Sequence, residues 1–315
     1  MIQTARYCLV AAMVAFVYGC APMTVDEAES QLPTALPVTG NSDHEALLAS
    51  ADPQLAANKR LVYDMWRTLI DAHDVQAAKK YFAEDYIQHN PIADTGRAGV
   101  LAYFASLGDA LPVKAKVQAD IVAIVAEKDL VALIQVNKQS QPRAYTTTWF
   151  DLFRVENGVI VEHWDHGTLP PGMTPRDYVP VTVNTDYRAA LASDDPQLAA
   201  NKQRVYDLWR VLVEAQQVDK APEYLATDYI QHNPMINTGL DGFMGFFRQF
   251  AQPKAVKPEV SNFVNMIGED DLVVLATVAT EKDANDQPYT TTWFDMFRVE
   301  NGKMVEHWDV MTLPR

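Results

Sequence analysis

Two stretches of this chain carry acidic and imidazole side chains at spacings that suit proton transfer. Asp151 lies among aromatic residues, and His163 and Asp165 follow two residues apart on the next apolar run. Aspartate is disfavoured inside strands, and apolar surroundings raise a carboxyl pKa toward the range that a general base needs. His163 and Asp165 share a strand face, where the histidine could orient a second acid/base group. These residues predict acid/base chemistry, with an ion pair at Asp151 and a satisfied polar cluster at 163–165 as the structural alternatives.

His89 stands in the heptapeptide Asp-Tyr-Ile-Gln-His-Asn-Pro at 85–91. It could carry a proton or donate to a substrate oxygen, or it could be a turn histidine bonded to backbone. Two histidines and two aspartates could also hold iron, zinc or manganese. We rank this metal site below metal-free chemistry and predict no cofactor.

The same heptapeptide returns at 228–234, and its surroundings return with it. Residues 52–59 recur unchanged at 195–202, and Tyr145–Asp165 matches Tyr289–Asp309 at 18 of 21 positions. A fixed long period indicates a duplicated domain. The second copy therefore repeats the candidate catalytic set, as His232, Asp295, His307 and Asp309.

The composition of the 315 residues is that of a globular protein, with 48% hydrophobic residues and a formal net charge of −15. No basic run is present, so we expect no nucleic-acid partner. The two cysteines, Cys8 and Cys20, leave no disulfide framework or zinc-thiolate site for the rest of the chain.

Residues 1–20 are typical of a signal peptide, with Arg6 before the apolar stretch Val10–Tyr18. The sequence Val17-Tyr18-Gly19-Cys20 resembles a bacterial lipobox, which implies lipidation of Cys20 and a place in the cell envelope, facing the periplasm or the exterior. A plain secretory peptide is the alternative. We expect contact with the membrane only through this lipid anchor. The polar residues 21–41 then form a tether.

The predicted domains span 42–170 and 185–315, with a linker at 171–184 in a segment that carries four prolines. In the first, helices are predicted from Asp52-Pro53 onward, over about 75–82 and over about 97–108. Strands are predicted over 116–126, 130–138, 145–155 and 159–166, with a hairpin turn at Glu156-Asn157-Gly158. Helices followed by an antiparallel meander predict an α+β fold.

The strand over 145–155 carries bulky apolar residues on both faces. One face can pack on the helices, and the other needs a second partner. We therefore expect the two domains to form an intramolecular pseudo-dimer, with one sheet against the other, and no further oligomer is needed to cover that face.

The heptapeptide before the third helix and the closing Phe-Arg-Val-Glu-Asn-Gly and Val-Glu-His-Trp-Asp motifs resemble the SnoaL-like branch of the nuclear-transport-factor-2-like superfamily. The resemblance covers about 42–169 and 185–314 and is strongest with predicted aldol-condensation enzymes. It implies two tandem cone-shaped domains, each with three N-terminal helices on a curved antiparallel sheet around a deep pocket. The superfamily includes polyketide cyclases, isomerases, an epoxide hydrolase, dehydratases and silent binding domains, most of them working without metal.

The resemblance also implies which residues face the pocket. Matching the last hairpin to an epoxide-hydrolase relative places a catalytic carboxylate at Asp309, with Asp165 as its first-half partner, and a water-holding residue at His89 and His232. That relative's catalytic Arg–Asp pair has no match, because Ile121–Val125 stands there, which argues against epoxide hydrolysis by its mechanism. Ligand contacts are expected from the inward residues Thr147, Trp149, Thr291 and Trp293, and from Tyr86 and Tyr229, which could equally be core.

Our leading hypothesis is cofactor-free acid/base catalysis on a small apolar carbonyl compound. Asp151 and Asp295 would take a proton next to the carbonyl, and His89/His232 or His163/His307 would stabilise the enolate oxygen. Aldol-type condensation, isomerisation or dehydration could follow. The alternatives are a lipid-anchored module that binds an apolar ligand without transforming it, and a structural pseudo-dimer with filled cones.

Overall fold

The computed structural model describes residues 35–314. The predictions for residues 1–20 and for most of the tether lie outside this range. The first half contains the helices α1 (His44–Leu48), α2 (Pro53–Met65), α3 (Val75–Ala78) and α4 (Arg97–Ala105), and the strands β1 (Phe82–Gln88), β2 (Ile121–Glu127), β3 (Leu130–Gln139), β4 (Tyr145–Glu156) and β5 (Val159–Asp165).

The second half repeats this order. Its helices are α5 (Tyr187–Leu191), α6 (Pro196–Leu208), α7 (Ala221–Tyr224) and α8 (Leu240–Phe247), and its strands are β6 (Leu225–Gln231), β7 (Phe263–Glu269), β8 (Leu272–Lys282), β9 (Pro288–Glu300) and β10 (Lys303–Asp309). Within residues 35–314, no helix is long and apolar enough to span a bilayer.

Helix α2 begins where the sequence predicted. The Asp52 carboxylate accepts a hydrogen bond from the Gln54 amide, and Pro53 occupies the first turn, as a capped helix start requires. The helix continues as a π-helical turn over Trp66–Ile70. Val62, Met65 and Leu69 point into the core of the half and are almost fully buried.

Each half folds into one five-stranded sheet with the order β1-β5-β4-β3-β2, or β6-β10-β9-β8-β7. Strands β2 to β5 form the predicted antiparallel meander, and β1 adds to it parallel to β5. Strand β2 begins at Ile121 instead of residue 116, because the Gln118 amide donates to the Asp71 carboxylate beyond α2. With helices before each meander, the α+β prediction is confirmed.

The helices of each half cover one face of its sheet, and the other faces of the two sheets meet in a shared core. Phe150 and Phe294 stack at its centre with ring centroids 5.5 Å apart. The Thr148 hydroxyl donates to the Asp309 carbonyl at 2.5 Å. Trp164 and Trp308 lie in the same cluster.

Two extended segments cross between the halves. Leu36, which precedes the first half, donates its amide to Gln231 at the end of β6, and Val179 of the linker does the same to Gln88 at the end of β1. Val38, two residues after Leu36, is buried in the shared core. Each domain is therefore bordered by the segment that precedes the other domain.

Candidate functional site

A cavity of about 790 Å³ opens in the first half between α2, α4 and the sheet face that they cover. One part of its wall is apolar and the other is polar. The apolar part includes Met65, Trp66, Leu69, Val100 and Phe104, and the polar part includes Gln88, Asn90, Asp151, His163 and Asp165. Such a mixture suits an apolar ligand with one reactive polar group.

The two aspartates lie side by side on neighbouring strands. Asp151 of β4 is directly opposite Asp165 of β5 in the antiparallel register. Asp151 is only 5% exposed, and no donor meets its Oδ2 atom in hydrogen-bond geometry, although a looser contact of the carboxyl with the Gln135 side chain lowers its pKa. A buried oxygen without a donor is rare, and this one belongs to a residue of the cavity wall.

Hydrogen bonds fix the tautomer of His163. The backbone amide of Asn90 donates to Gln88 Oε1 at 3.0 Å, so this oxygen is an acceptor. His163 Nδ1 lies 2.9 Å from the same oxygen and must therefore donate to it. The other ring nitrogen, Nε2, faces Asp151 Oδ1 at 3.0 Å. A hydrogen-bond contact between this nitrogen and this oxygen requires a hydrogen on one of the two atoms. The His163–Asp151 pair therefore shares one proton there.

Asp165 is held by donors on both carboxylate oxygens. Asn90 Nδ2 donates to Oδ2 at 2.7 Å, and the Gly167 amide donates to Oδ1 at 2.8 Å. His163 Nε2 lies 3.9 Å from Asp165 Oδ2. Position 167 has no room for a side chain, because a Cβ there would lie 2.3 Å from Asn90 Nδ2. Asp165 is thus held in a fixed position beside the Asp151–His163 pair.

Burial governs the protonation of this cluster. It raises the pKa of Asp151 to about 6, partly offset by the hydrogen bond and charge of His163. For His163, burial alone would lower the pKa, but the hydrogen bond to Asp151 and the charges of both aspartates leave it raised. The cavity therefore presents a carboxyl that is a weaker acid, and in its ionised form a stronger base, than one in water.

The second half repeats the cluster. His307 Nε2 lies 2.9 Å from Asp295 Oδ1, its Nδ1 lies 2.9 Å from Gln231 Oε1, and Asp295 Oδ2 is again without a hydrogen bond. Burial raises the pKa of Asp295 well above its usual value and lowers that of His307 to about 4. It also raises the pKa of Asp309 to about 6. Since the contacts of both pairs are alike, we assign one shared proton to each.

The expectation that His89 acts in the cavity requires correction. His89 Nε2 lies 2.9 Å from Glu162 Oε1, its Nδ1 lies 2.7 Å from the Val179 carbonyl, and its ring stacks on Trp164 at 5.0 Å. Alternation along β1 explains this, because Tyr86 and Gln88 face the cavity and leave His89 on the opposite face.

His232 is placed in the same way. It contacts Glu306 and the Leu36 carbonyl, beside a smaller cavity of about 220 Å³ lined by both halves. Both histidines therefore belong to the contact between the halves, and we leave them out of the proposed site.

The threonines predicted to contact ligand also lie elsewhere. Thr147 is fully buried and donates to the Asp309 carbonyl at 3.2 Å, and Thr291 makes the equivalent bond to Asp165. Both bonds cross between the halves. Trp149 and Tyr86 do line the first cavity, and the Tyr86 hydroxyl lies 3.3 Å from Gln88 Nε2.

Two positioning residues, Gln88 and Asn90, with their copies Gln231 and Asn233, were not among the predicted site residues. Both flank His89 inside the repeated heptapeptide. Alternation within that motif would have assigned Gln88 to the face of Tyr86. The position of Asn90, by contrast, depends on the turn after β1, where its Oδ1 accepts from the Ile92 amide.

The same side chains could hold a cation. Asp151, His163 and Asp165 each offer one ligand atom, and these atoms lie within 4.8 Å of one another. The second-half set is equivalent. Carboxylate and imidazole ligands suit several divalent metals.

The model of the SnoaL-like domain matches residues 62–163 and 203–307. None of the curated proteins searched matches the chain.

Among solved structures, a proposed polyketide cyclase from Xanthomonas campestris pv. campestris is 18% identical, covers 35% of this chain and 90% of its own, and has a TM-score of 0.27. An LEH-like epoxide hydrolase from M. tuberculosis is 15% identical, with 36% and 84% covered and a TM-score of 0.27. An NTF2-like protein of unknown function from Mesorhizobium loti is 14% identical, with 37% and 94% covered and a TM-score of 0.28.

Both matched segments coincide with the two halves, and together they span more than half of the chain. The chain belongs to the SnoaL-like domain family and contains two tandem copies of that domain.

Proposed function

We propose that this protein catalyses proton transfer on a small apolar carbonyl compound, with no cofactor, in the pocket of its SnoaL-like domains. The observation that carries the proposal is the free Asp151 Oδ2 atom, buried in the wall of an open and largely apolar cavity. A carboxylate in such surroundings is a stronger base than one in water, because burial disfavours its charged form.

In the proposed reaction, Asp151 Oδ2 accepts a proton from the carbon next to the substrate carbonyl, and the electron pair moves onto the carbonyl oxygen. His163, charged by the shared proton, supports the ionised state of Asp151 before this step. Return of the proton to another carbon gives isomerisation, attack of the enolate on a second carbonyl gives aldol-type condensation, and loss of a β-hydroxyl as water gives dehydration.

Tyr86 is our proposed donor to the developing enolate oxygen. It lines the cavity and is 1% exposed. Burial and the nearby carboxylates raise the pKa of its hydroxyl well above the usual value, so it keeps its proton. A hydroxyl in a site with little water is an effective oxyanion donor. Asp165, fixed by Asn90 and Gly167, positions the histidine electrostatically.

Deuterium exchange tests this proposal. We expect the protein to speed exchange of solvent deuterium into the α-carbon of a small ketone such as 2-tetralone, followed by NMR. The double variant Asp151→Asn and Asp295→Asn should lose the acceleration at least about 100-fold, the usual scale for general-base catalysis. Full activity in this variant would refute the role of the carboxylates, and loss of wild-type activity on chelator treatment would favour the metal alternative.

The alternative function is a binding module that holds an apolar ligand without transforming it. The size and apolar lining of the first cavity favour this second candidate. Saturable binding of 2-tetralone with no exchange above the protein-free rate would select it over catalysis.

We also propose that the halves act as an intramolecular pseudo-dimer. The shared core around Phe150 and Phe294 and the two crossing segments support this arrangement. Small-angle scattering should give one compact particle, and two separated lobes would contradict the proposal.

The proposed location is the cell envelope, by lipidation of Cys20 in the lipobox-like sequence. A Cys20→Ser variant should move from the membrane fraction to the soluble fraction. Equal partition of variant and wild type would leave no role for the lipid anchor.

A further inference from the structure

The two copies share their catalytic residues but differ in the helix that closes the cavity. Four residues of α4 and the turn after it line the first cavity, namely Val100, Tyr103, Phe104 and Leu107. The heptapeptides set an offset of 143 residues between the copies. At that offset, all four positions hold phenylalanine, at 243, 246, 247 and 250.

The phenylalanines form a connected aromatic cluster. Phe243 and Phe247 have ring centroids 4.5 Å apart, and Phe247 and Phe250 are 5.9 Å apart. Phe243 is 7% exposed and also contacts Tyr229 edge-on at 6.4 Å. Tyr229 is the copy of Tyr86, which borders open space in the first half. An aromatic ring thus contacts the copy of a residue that lines the open cavity in the first half.

The first-half helix packs more loosely. Leu107, the copy position of Phe250, is 51% exposed at the cavity. Phe104 has its ring contacts with Tyr103 and His73, and neither of these is a residue of the catalytic cluster. At Val100 and Leu107, the segment that covers the first cavity therefore carries smaller side chains than its second-half copy.

The strand that forms the sheet wall of the first cavity also differs between the two copies. Gln135 and Asn137 of β3 line the first cavity, opposite Trp149 and Thr147 of β4. In the second half, the residues opposite Trp293 and Thr291 are Thr277 and Ala279. Long polar side chains have become short ones, and Trp293 packs against the second-half core. On this strand of the second half, only the Thr277 hydroxyl remains as a polar group at the two positions.

We propose that a small apolar carbonyl ligand binds only in the first half, and that Phe243 with its neighbouring phenylalanines closes the second. The Asp295–His307 pair is then a sealed polar cluster that preserves the sheet geometry of its domain. This inference rests on the proposed function for the class of ligand, but the location of the open cavity can be tested without any turnover.

Stoichiometry is the first test, with 2-naphthol as the probe because its hydroxyl resembles an enol. Calorimetric titration of the full chain should give one site. Val100→Phe should weaken that site at least about tenfold, since it inserts the second-half ring. Leu107→Phe, at an exposed position, repeats the test if Val100→Phe fails to fold. The matched variant Phe243→Val should leave the affinity of the first site unchanged. Two equivalent sites in the wild type, or insensitivity to both first-half variants, would overturn the proposal.

A second measurement is independent of ligand chemistry. Crystals of the full chain under xenon pressure should show xenon in the first half, with none beside Tyr229, because xenon enters open apolar space. Xenon in both halves would overturn the inference. Failure of 2-naphthol to bind either half, with xenon in the first alone, would count against the proposed ligand class and support the asymmetry.

Discussion

At the scale of single residues, the site is built on an unfavourable pairing that the fold enforces. Asp151 and Asp165 are direct neighbours across two strands, where like charges destabilise a sheet. His163, Asn90 and the Gly167 amide supply the compensating hydrogen bonds. Asp151 Oδ2 remains without a donor. A buried oxygen left without a hydrogen bond costs free energy of folding, and such a cost at a cavity wall is typical of a functional position.

The raised pKa of Asp151 predicts a pH-dependent stability difference. The pKa of this carboxyl is higher in the folded chain than in the unfolded chain. Its contribution to stability is therefore fully present at a pH below the unfolded pKa. That contribution is lost as the pH rises through the folded pKa of about 6. Asp151→Asn should therefore gain stability relative to wild type between about pH 4 and pH 8, by up to about 3 kcal/mol. The side-chain amide introduced by Asp151→Asn can also donate to His163 Nε2. Urea unfolding across this range measures the difference, and a pH-independent value would contradict the assignment.

At the scale of elements, two short features decide the site. The end of β1 presents Gln88 and Asn90 to the sheet neighbours His163 and Asp165. Helix α4 then determines how much space remains above them. Its only buried residue is Val100, whereas α8 buries both Phe243 and Met244. The equivalent helices α4 and α8 therefore pack differently, although the cluster of aspartate, histidine, glutamine and asparagine side chains beneath them has the same residue types in both copies.

Hydrogen exchange should report this difference. Amides of α4 should exchange faster than those of α8, because fewer buried apolar contacts resist local opening. Addition of 2-naphthol should slow exchange in α4 and leave α8 unchanged. The duplicated chain supplies its own control, since both helices are measured in one sample. Equal protection of the two helices would argue against the packing difference.

At the scale of the whole molecule, buried ion pairs join the halves. Lys202 of α6 is fully buried and lies 2.6 Å from Glu127 Oε2 at the end of β2. The same oxygen accepts from the Gly268 amide of the second sheet. The equivalent pair, Lys59 with Glu269, is also 2.6 Å long but more exposed.

Breaking the buried pair should cost far more than breaking a surface pair. Lys202→Met leaves Glu127 buried without a counter-charge, which typically costs about 3–5 kcal/mol. Adding Glu127→Gln should recover much of this loss, because no unpaired charge then remains. Lys59→Met is the matched control, with a smaller expected cost because solvent reaches Glu269. Chemical denaturation measures all four proteins, and a cost below about 1 kcal/mol for Lys202→Met, the range of surface pairs, would show that the pair is not buried in solution.

The sequence by itself determined the duplication, the α+β order of elements and the family. These follow from local signals, namely a fixed repeat, the Asp52-Pro53 cap and the alternation along β4, each of which is written in neighbouring residues. The sequence also predicted Asp151, His163 and Asp165 as candidate site residues, because ionisable residues within apolar strands stand out without knowledge of the fold.

Only the tertiary structure decided which partners these residues have. His89 and Thr147 were assigned to the pocket, yet their bonds run to the linker and to the other half. Gln88 and Asn90 join the site because β1 pairs in parallel with β5, a contact between segments about 75 residues apart. The open first cavity, too, depends on how α4 packs across the sheet. Long-range pairing and packing volume are properties of the folded chain, and short-range patterns do not contain them.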